Sequence, residues 1–131
     1  MELLPMDILY KTSNIEISLD QATHILYCTW LGFQDEQSLK DAGLVIHELF
    51  VLNKCSKILN DNTNVIGPWN HSTEWTTTQW FPSMIEAGLK KFAWVFSTDV
   101  FAQISAYRVT PNIPVVKTFL SKEKALEWLK D

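Results

Sequence analysis

Phe92-Ala93-Trp94-Val95-Phe96 is an unbroken apolar run in the second half of the chain. This composition is typical of a strand that is covered on both faces, because neither face then meets water. Gly88 lies a few residues earlier, where a glycine in a left-handed conformation commonly closes a helix. The run therefore predicts a central strand that follows directly on a helix.

The segments on both sides of this strand alternate between helix and strand. A long helix is predicted over residues 35–53, a strand begins at Lys57, and a helical pattern interrupted by Pro82 leads into the apolar run. After the run, the predicted elements are a helix capped by Asp99, a strand over residues 115–119 and a terminal helix capped by Ser121. Such alternation indicates parallel strands covered by helices.

Apolar residues are spaced differently in the first part of the chain. Between residues 6 and 31, apolar and polar residues alternate, as at Ile15, Ile17 and Leu19, which is typical of strands with one solvated face. Up to three antiparallel strands are predicted there. The fold class is therefore α/β: a mixed β-sheet with N-terminal antiparallel strands, then alternating helices and parallel strands, in a single domain over residues 1–131.

Composition and charge narrow the classes of function. The chain has 131 residues, 47% of them hydrophobic and 20% charged, which excludes intrinsic disorder. The net charge is −4, and Arg108 is the only arginine. Nucleic-acid binding depends on clustered cations, so no nucleic-acid partner is expected.

The sequence also bears on the cellular compartment. Residues 1–7 lack the basic start and apolar stretch of a secretory signal. No apolar run approaches the roughly 18–20 residues of a membrane span. Cys28 and Cys55 are far apart and lack a C-x-x-C spacing, so free buried thiols are expected rather than a disulfide or a zinc site. A cytoplasmic protein without a membrane span is predicted.

The segment Asn60–Trp80 is the one in which we expect a functional site. Open α/β sheets place ligands where a strand ends in small polar residues and leads into a helix. Exposed helix amides there favour an anion, whereas the surrounding aromatic residues favour an apolar ligand. The candidate ligand-binding residues are Asp61, Asn62, Asn64, Trp69, His71, Ser72, Trp75 and Trp80. In the alternative interpretation, the Asp and Asn side chains only close turns and Ser72 only caps the helix.

The tryptophans of this segment also allow two interpretations. Trp75 falls on the opposite side of the helical wheel from Phe81 and Met84, so it could be exposed and available for ligand stacking or a subunit contact. Alternatively, Trp75 and Trp69 fold over the edge of the core as lids.

The sequence contains no convincing catalytic set. His71 and Glu74 have a spacing that metal ligands sometimes use, but no third ligand is evident, and no metal or other cofactor is predicted. Asp61, His71 and Ser72 could be arranged as a triad, but no nucleophile-elbow motif supports it. We therefore expect no enzyme; a hydrolase that uses His71 is the alternative, and it needs a nucleophile within hydrogen-bond reach of that side chain.

The first long helix is apolar on two sides. Its core stripe includes Leu39, Ile46 and Phe50, whereas Leu44 and Val51 lie on nearly the opposite face. A helix of this kind is either deeply buried or meets a partner. Leu44 and Val51 are therefore the candidate residues of an oligomer interface, with a homodimer or an unidentified protein as the partner.

The second half of the chain resembles a known family. The stretch Trp80–Val95 resembles the W-x-P…AGLK…A-x-V block of SpoIIAA-like proteins, and the resemblance continues through Asp99–Ser105 and Phe119–Leu129. It implies the STAS fold of small, single-domain bacterial proteins, a mixed sheet flanked by helices. In the best-understood relatives, the anti-sigma-factor antagonists, a serine at a helix start is phosphorylated, which changes binding to a partner kinase.

The chain departs from those relatives at the phosphorylated position. They carry Asp-Ser-Ser-Gly at the helix start, whereas this chain has Asn70-His71-Ser72-Thr73. Only Ser72 can stand in as a phosphorylation candidate, and a phosphoryl group there would meet helix amides.

Two functions of different class follow. The first is a non-catalytic interaction or regulatory module of the SpoIIAA-like type. The alternative is a protein that binds a small apolar or anionic ligand in a pocket at the Asn60–Ser72 loop.

Overall fold

A six-stranded mixed sheet forms the centre of the molecule. The computed structural model describes residues 6–131. Residues 1–5, which make up most of the segment used to predict the absence of a secretory signal, lie outside the described residues. The strands are β1 (Met6–Lys11), β2 (Ile15–Asp20), β3 (Leu26–Gly32), β4 (Lys57–Val65), β5 (Lys91–Val95) and β6 (Val116–Phe119). The α-helices are α1 (Glu36–Leu52), α2 (Thr73–Trp75), α3 (Phe81–Glu86), α4 (Val100–Tyr107) and α5 (Lys122–Lys130).

The strands lie side by side in the order of the sequence, from β1 to β6. The pairs β1–β2 and β2–β3 are antiparallel, whereas β3–β4, β4–β5 and β5–β6 are parallel. The predicted fold class is confirmed: antiparallel strands come first, and helices alternate with parallel strands afterwards.

The helices cover the two faces of the sheet unequally. Side chains of α1, α3 and α4 belong to the larger of two buried clusters, on one face. On the other face, Ala125 and Leu129 of α5 pack against β3, β4 and β5. Because the three parallel crossovers proceed in one direction along the sheet and share one hand, their helices lie together on the same face.

The predicted helix boundaries agree closely with the structure. Helix α1 begins after Asp35, whose side chain accepts a hydrogen bond of 2.8 Å from the Ser38 amide. Asp99 caps α4 and Ser121 caps α5 in the same way. Gly88 has a φ of +110°, the conformation predicted for the glycine after the helix. Cys28 and Cys55 are free and buried, as predicted.

Two local predictions were wrong. Strand β4 does not give way to a loop at Asn60 but continues to Val65, which places Asn60, Asp61, Asn62 and Asn64 in a strand. His24 falls in the region 6–31, which was predicted to form antiparallel strands, but it lies in the turn between β2 and β3 with a φ of +62°.

The helical segment after β4 is irregular. A π-helical stretch, Thr76–Trp80, separates α2 from α3, and the Phe81 amide bonds the Thr76 carbonyl five residues back. Pro82 has no amide hydrogen to continue an α-helical ladder, and the hydroxyls of Thr76, Thr77 and Thr78 each bond the carbonyl four residues back. The predicted interruption at Pro82 is therefore present as a π-helical turn.

Candidate functional site

A small, tryptophan-rich pocket lies between the sheet and the crossover helices. Its volume is about 50 Å³, which is room for a few water-sized groups. Five of the six tryptophans of the chain line this tryptophan pocket, namely Trp30, Trp69, Trp75, Trp80 and Trp94. The sixth, Trp128, packs against Phe119 on the opposite face of the sheet.

Strand β4 brings two asparagines to the pocket. Asn60 and Asn62 are two residues apart, so their side chains lie on the same face of the strand. The Trp30 indole Nε1 donates to Asn60 Oδ1 at 2.7 Å, and Asn60 Nδ2 donates to Asn62 Oδ1 at 3.0 Å. The chain of hydrogen bonds explains how these two amides are tolerated in the interior.

Helix α1 closes the pocket through close contact with the irregular helical segment. The Trp80 indole Nε1 donates to the Gly43 carbonyl at 2.7 Å. A Cβ atom at position 43 would lie 2.8 Å from Trp75 Cη2 and 3.2 Å from Trp80 Cδ1. The absence of a side chain at Gly43 therefore allows both indoles to lie against α1.

Three buried polar atoms of the pocket residues have no hydrogen-bond partner among residues 6–131. They are Gln34 Oε1 and the indole nitrogens of Trp69 and Trp94. Gln34 Nε2 donates to the carbonyls of Leu31 and Asn14, at 2.9 and 3.3 Å. Because carbonyls only accept, these partners fix which corner of the Gln34 amide is the nitrogen, and Oε1 occupies the other corner.

The lining of the pocket is electrically neutral. None of the described residues that line it is charged. At the start of α1, outside the lining, the Ser38 amide holds the pKa of Asp35 below its ordinary value, and Lys40 does the same for Glu36. An anion in the pocket would meet no countercharge. Of the two predicted ligand classes, anionic and apolar, the pocket therefore favours the apolar one.

The structure brings together half of the predicted site residues. Asn62, Trp69, Trp75 and Trp80 line the pocket. Trp69 and Trp80 are buried and Trp75 is half-buried against α1, which agrees with the interpretation of these side chains as lids rather than with an exposed Trp75. The remaining four candidates, Asp61, Asn64, His71 and Ser72, do not line it.

Asp61 and Asn64 have surroundings that do not form a binding site. Asp61 Oδ1 accepts hydrogen bonds from the amide and the hydroxyl of Thr63, at 2.9 and 2.5 Å, which is the local closure described by the alternative interpretation. Asn64 is exposed.

His71 and Ser72 form a hydrogen-bonded pair. Ser72 Oγ lies 2.7 Å from His71 Nδ1, and His71 Nε2 lies 2.9 Å from the Gln34 carbonyl oxygen. The carbonyl can only accept, so Nε2 carries the hydrogen and Nδ1 accepts from the Ser72 hydroxyl. The predicted capping role of Ser72 is wrong, because its side chain bonds His71 instead of a helix amide.

The burial of Ser72 bears on the two reactions considered for it. Its side chain is fully buried, at 0% exposure. A kinase needs an exposed hydroxyl, so the folded conformation disfavours phosphorylation of Ser72. The hydroxyl lies within hydrogen-bond reach of His71, as the hydrolase alternative requires, but a substrate has no access to it in this conformation.

Most of the pocket lining was missed from the sequence. The residues that sequence reasoning did not select are Trp30, Gln34, Leu39, Gly43, Asn60, Val65, Thr76, Phe81, Phe92 and Trp94. Two signals could have found some of them: the apolar run that contains Trp94, and the spacing of Asn60 and Asn62 in a strand.

The exposed face of α1 has the predicted character. Leu44 is 62% exposed and Val51 is 51% exposed, on the side of the helix away from the core. The structure therefore places both candidate interface residues in solvent.

The described residues contain neither a metal-binding cluster nor a membrane-spanning helix. Within residues 6–131, no three histidine, cysteine or acidic side chains lie together as the ligands of a metal ion would. None of the helices in the described part of the chain has the length and apolar character needed to cross a bilayer. No protein-family model, curated protein or solved structure matches this chain.

Proposed function

We propose that this chain binds a small, mainly apolar ligand in the tryptophan pocket and catalyses no reaction. The observation that carries the proposal is a pocket with a mainly aromatic lining, to which Asn60 and Asn62 of β4 contribute the amide groups. Binding sites for small molecules are typically concave and apolar, with a few polar groups that orient the ligand.

The π-helical stretch supports the same site. Thr76 and Trp80, at its two ends, both line the pocket. Such insertions weaken a helix locally, and they occur frequently where a helix contributes to a functional site. A small adjustment of this stretch would widen the pocket for a ligand larger than its present volume.

The experiment is a titration of the ¹⁵N-labelled protein with benzene, followed by amide and indole NMR signals. Shifts confined to the pocket residues are expected. Leu39→Phe fills the pocket from α1, whereas Leu44→Phe makes the same change on the exposed side of that helix. We expect benzene to bind at least about tenfold more weakly to Leu39→Phe and equally well to Leu44→Phe. The first substitution replaces contacts between benzene and the pocket, and each methylene-sized contact that is lost costs about 0.8 kcal/mol.

The outcome that overturns the proposal is the absence of any shift up to saturation of the buffer with benzene. If Leu39→Phe does not fold, Asn62→Leu serves as the second pocket variant. Equal affinity of the parent protein and all variants for benzene would also contradict the proposed site.

A second candidate function is a protein-interaction module of the SpoIIAA-like type. The specific observation that favours it is the exposure of Leu44 and Val51 on α1, with the neighbouring Leu52 71% exposed. Self-association into a homodimer through this face is the form of the proposal. Light scattering coupled to size-exclusion chromatography tests this proposal. A dimer that the substitution Leu44→Glu converts to a monomer supports it. A parent protein that is monomeric at high concentration contradicts the proposed homodimer.

We place either function in the cytoplasm. Free, buried Cys28 and Cys55 support this proposal, because proteins of oxidising compartments more commonly pair their cysteines.

A further inference from the structure

We infer that α4 is the contact surface of a homodimer, in which this helix packs antiparallel against α4 of a second copy of the chain. The inference is independent of the tryptophan pocket, and it concerns a different helix from the exposed face of α1. The observation behind it is that every exposed residue of α4 is apolar or aromatic. These residues are Val100 (63% exposed), Phe101 (64%), Ile104 (46%) and Tyr107 (58%).

The spacing of these residues places their side chains on one side of the helix. Val100, Ile104 and Tyr107 are four and three residues apart, and Phe101 lies three residues before Ile104. The buried residues of the helix are Ala102, Ser105 and Ala106. Because this inner side is already packed against the rest of the molecule, the apolar side is left to meet solvent or a partner.

The exposed side of α4 lacks the charges that accompany the apolar residues of α1. On α1, exposed Leu44 has the exposed acidic residues Asp41 and Glu48 on the same helix. The segment from Val100 to Tyr107 contains no charged residue. Charged residues are depleted at the centre of protein–protein interfaces, so the composition of α4 is that of an interface centre.

The two charges nearest to the apolar side lie at opposite ends of the helix. Asp99 is the N-cap, and Arg108, the only arginine of the chain, is the C-cap. Arg108 is exposed and forms no ion pair with any residue between 6 and 131. In an antiparallel pair, the Arg108 end of each copy lies beside the Asp99 end of the other, and the helix dipoles also oppose each other favourably. A parallel pair would bring like charges together.

A bilayer is a poorer occupant of this surface than a second copy. Surfaces that bind membranes combine apolar side chains with several lysines or arginines, which attract anionic lipids. Arg108 is the only cationic residue between residues 92 and 116, and the net charge of the chain is −4. The charge pattern therefore matches the opposite end of the same helix and not a lipid surface.

The exposed area sets the expected strength of the dimer. At their exposed fractions, the four side chains present on the order of 500 Å² per copy, so a symmetric contact removes about 1,000 Å² from water. This area lies at the lower limit of specific interfaces, where complexes are weak and transient. We expect a dissociation constant on the order of 0.1 mM and therefore a dimer that depends on protein concentration.

The test is sedimentation equilibrium of the intact protein at concentrations up to about 1 mM, ten times the expected dissociation constant. The mass should rise from that of one chain toward that of two. Ile104→Glu should raise the dissociation constant at least about tenfold, because it places a charge at the centre of the contact. Leu44→Glu makes the same change on α1 and should leave the dissociation constant unchanged. If Ile104→Glu does not fold, as judged by circular dichroism, Val100→Glu replaces it.

Cysteine cross-linking tests the antiparallel arrangement. Ile104 lies near the middle of α4, so its two copies should meet, and Ile104→Cys should form an intermolecular disulfide in the presence of an oxidant. At a rise of about 1.5 Å per residue, the two copies of position 108 are about 12 Å apart along the helix axis, which is too far for a disulfide. Arg108→Cys should therefore remain unlinked, whereas a parallel pair would link it.

The charged ends predict a dependence on salt. The parent dimer should weaken as the salt concentration rises, because exposed charges are screened. Arg108→Ala should weaken the dimer at low salt and should remove most of this dependence. A dissociation constant of the parent protein that is independent of salt would contradict the pairing of Arg108 with Asp99.

The outcomes separate this inference from the proposed functions. A protein that is monomeric at about 1 mM overturns the inference and leaves benzene binding in the tryptophan pocket unaffected. A dimer that Leu44→Glu dissociates and Ile104→Glu does not assigns the contact to α1, which also overturns the inference. Monomers that bind phosphatidylcholine vesicles through α4 would show that a lipid surface is the occupant instead.

Discussion

The indole Nε1 of Trp80 donates a hydrogen bond of 2.7 Å to the backbone carbonyl of Gly43, in the middle of α1. This bond joins the irregular helical segment to the longest helix and closes one side of the tryptophan pocket. A side chain at position 43 would meet Trp75 before the two helices came this close.

Gly43→Ala should therefore destabilise the protein although alanine is the better helix former. The gain in helix propensity is about 1 kcal/mol, whereas forcing a methyl group against packed rings typically costs about 1–3 kcal/mol. We expect a net loss of about 1 kcal/mol in the free energy of unfolding, measured with urea. Leu44→Ala, at the next and exposed position, is the control and should change it by less than about 0.5 kcal/mol. A variant that is more stable than the parent chain would contradict the close contact.

Two lysines of neighbouring strands stabilise the end of α5. Lys57 on β4 donates to the Leu129 carbonyl, and Lys91, its partner on β5, donates to the Trp128 carbonyl at 3.0 Å. A positive charge at the carboxyl end of a helix also interacts favourably with the helix dipole.

Replacement of either lysine by methionine keeps the aliphatic stem and removes the charge. Each change should lower the free energy of unfolding by about 1 kcal/mol in urea titrations. Lys124→Met on the exposed side of α5 is the matched control and should have little effect. Equal effects of all three substitutions would show that the carbonyl contacts are unimportant.

Asp35 should make the stability of α1 depend on pH. Its carboxylate accepts a hydrogen bond from the Ser38 amide, which lowers its pKa from the ordinary value of 3.8. A carboxyl group with a lowered folded-state pKa contributes stability that is complete above 3.8 and is lost as the pH falls through the folded-state value. An NMR titration of the Asp35 carboxyl should give a pKa below 3.8. Asp35→Asn retains a capping side chain and should weaken this acid dependence; an unchanged pH profile would contradict the assignment.

The two thiols should resist alkylation and disulfide reagents in the folded protein. Burial raises the pKa of Cys55 to about 11 and raises that of Cys28 further, so little thiolate exists at pH 8. Ellman's reagent should label Cys28 more slowly than Cys55 in the native chain, and both rapidly in guanidinium chloride. Rapid native labelling of Cys28 would be inconsistent with its position in β3.

The sequence was sufficient to predict the order of the elements. Period-two and helical patterns reflect which side chains avoid water, and this is a local property of each segment, as at Ile15 in β2 and Ile46 in α1. Capping positions such as Asp99 are local in the same way, because donor and acceptor are a few residues apart.

The pocket could not be predicted to the same extent, because it depends on strand register and on contacts distant in sequence. Asn60 is tolerated in the buried part of β4 because Trp30, thirty residues earlier, donates a hydrogen bond to its side-chain oxygen. Composition alone predicts a turn for the asparagine-rich segment around Asn60. Gln34 and Trp94 reach the same pocket only through the pairing of β3, β4 and β5.

The most direct test of the central claim is the set of nuclear Overhauser effects between bound benzene and the protein. If benzene binds in the tryptophan pocket, it contacts ring protons of Trp69, Trp80 and Trp94, and none of Trp128. Contacts confined to Trp128 or to the exposed Phe101 of α4 would contradict the claim that the tryptophan pocket is the binding site.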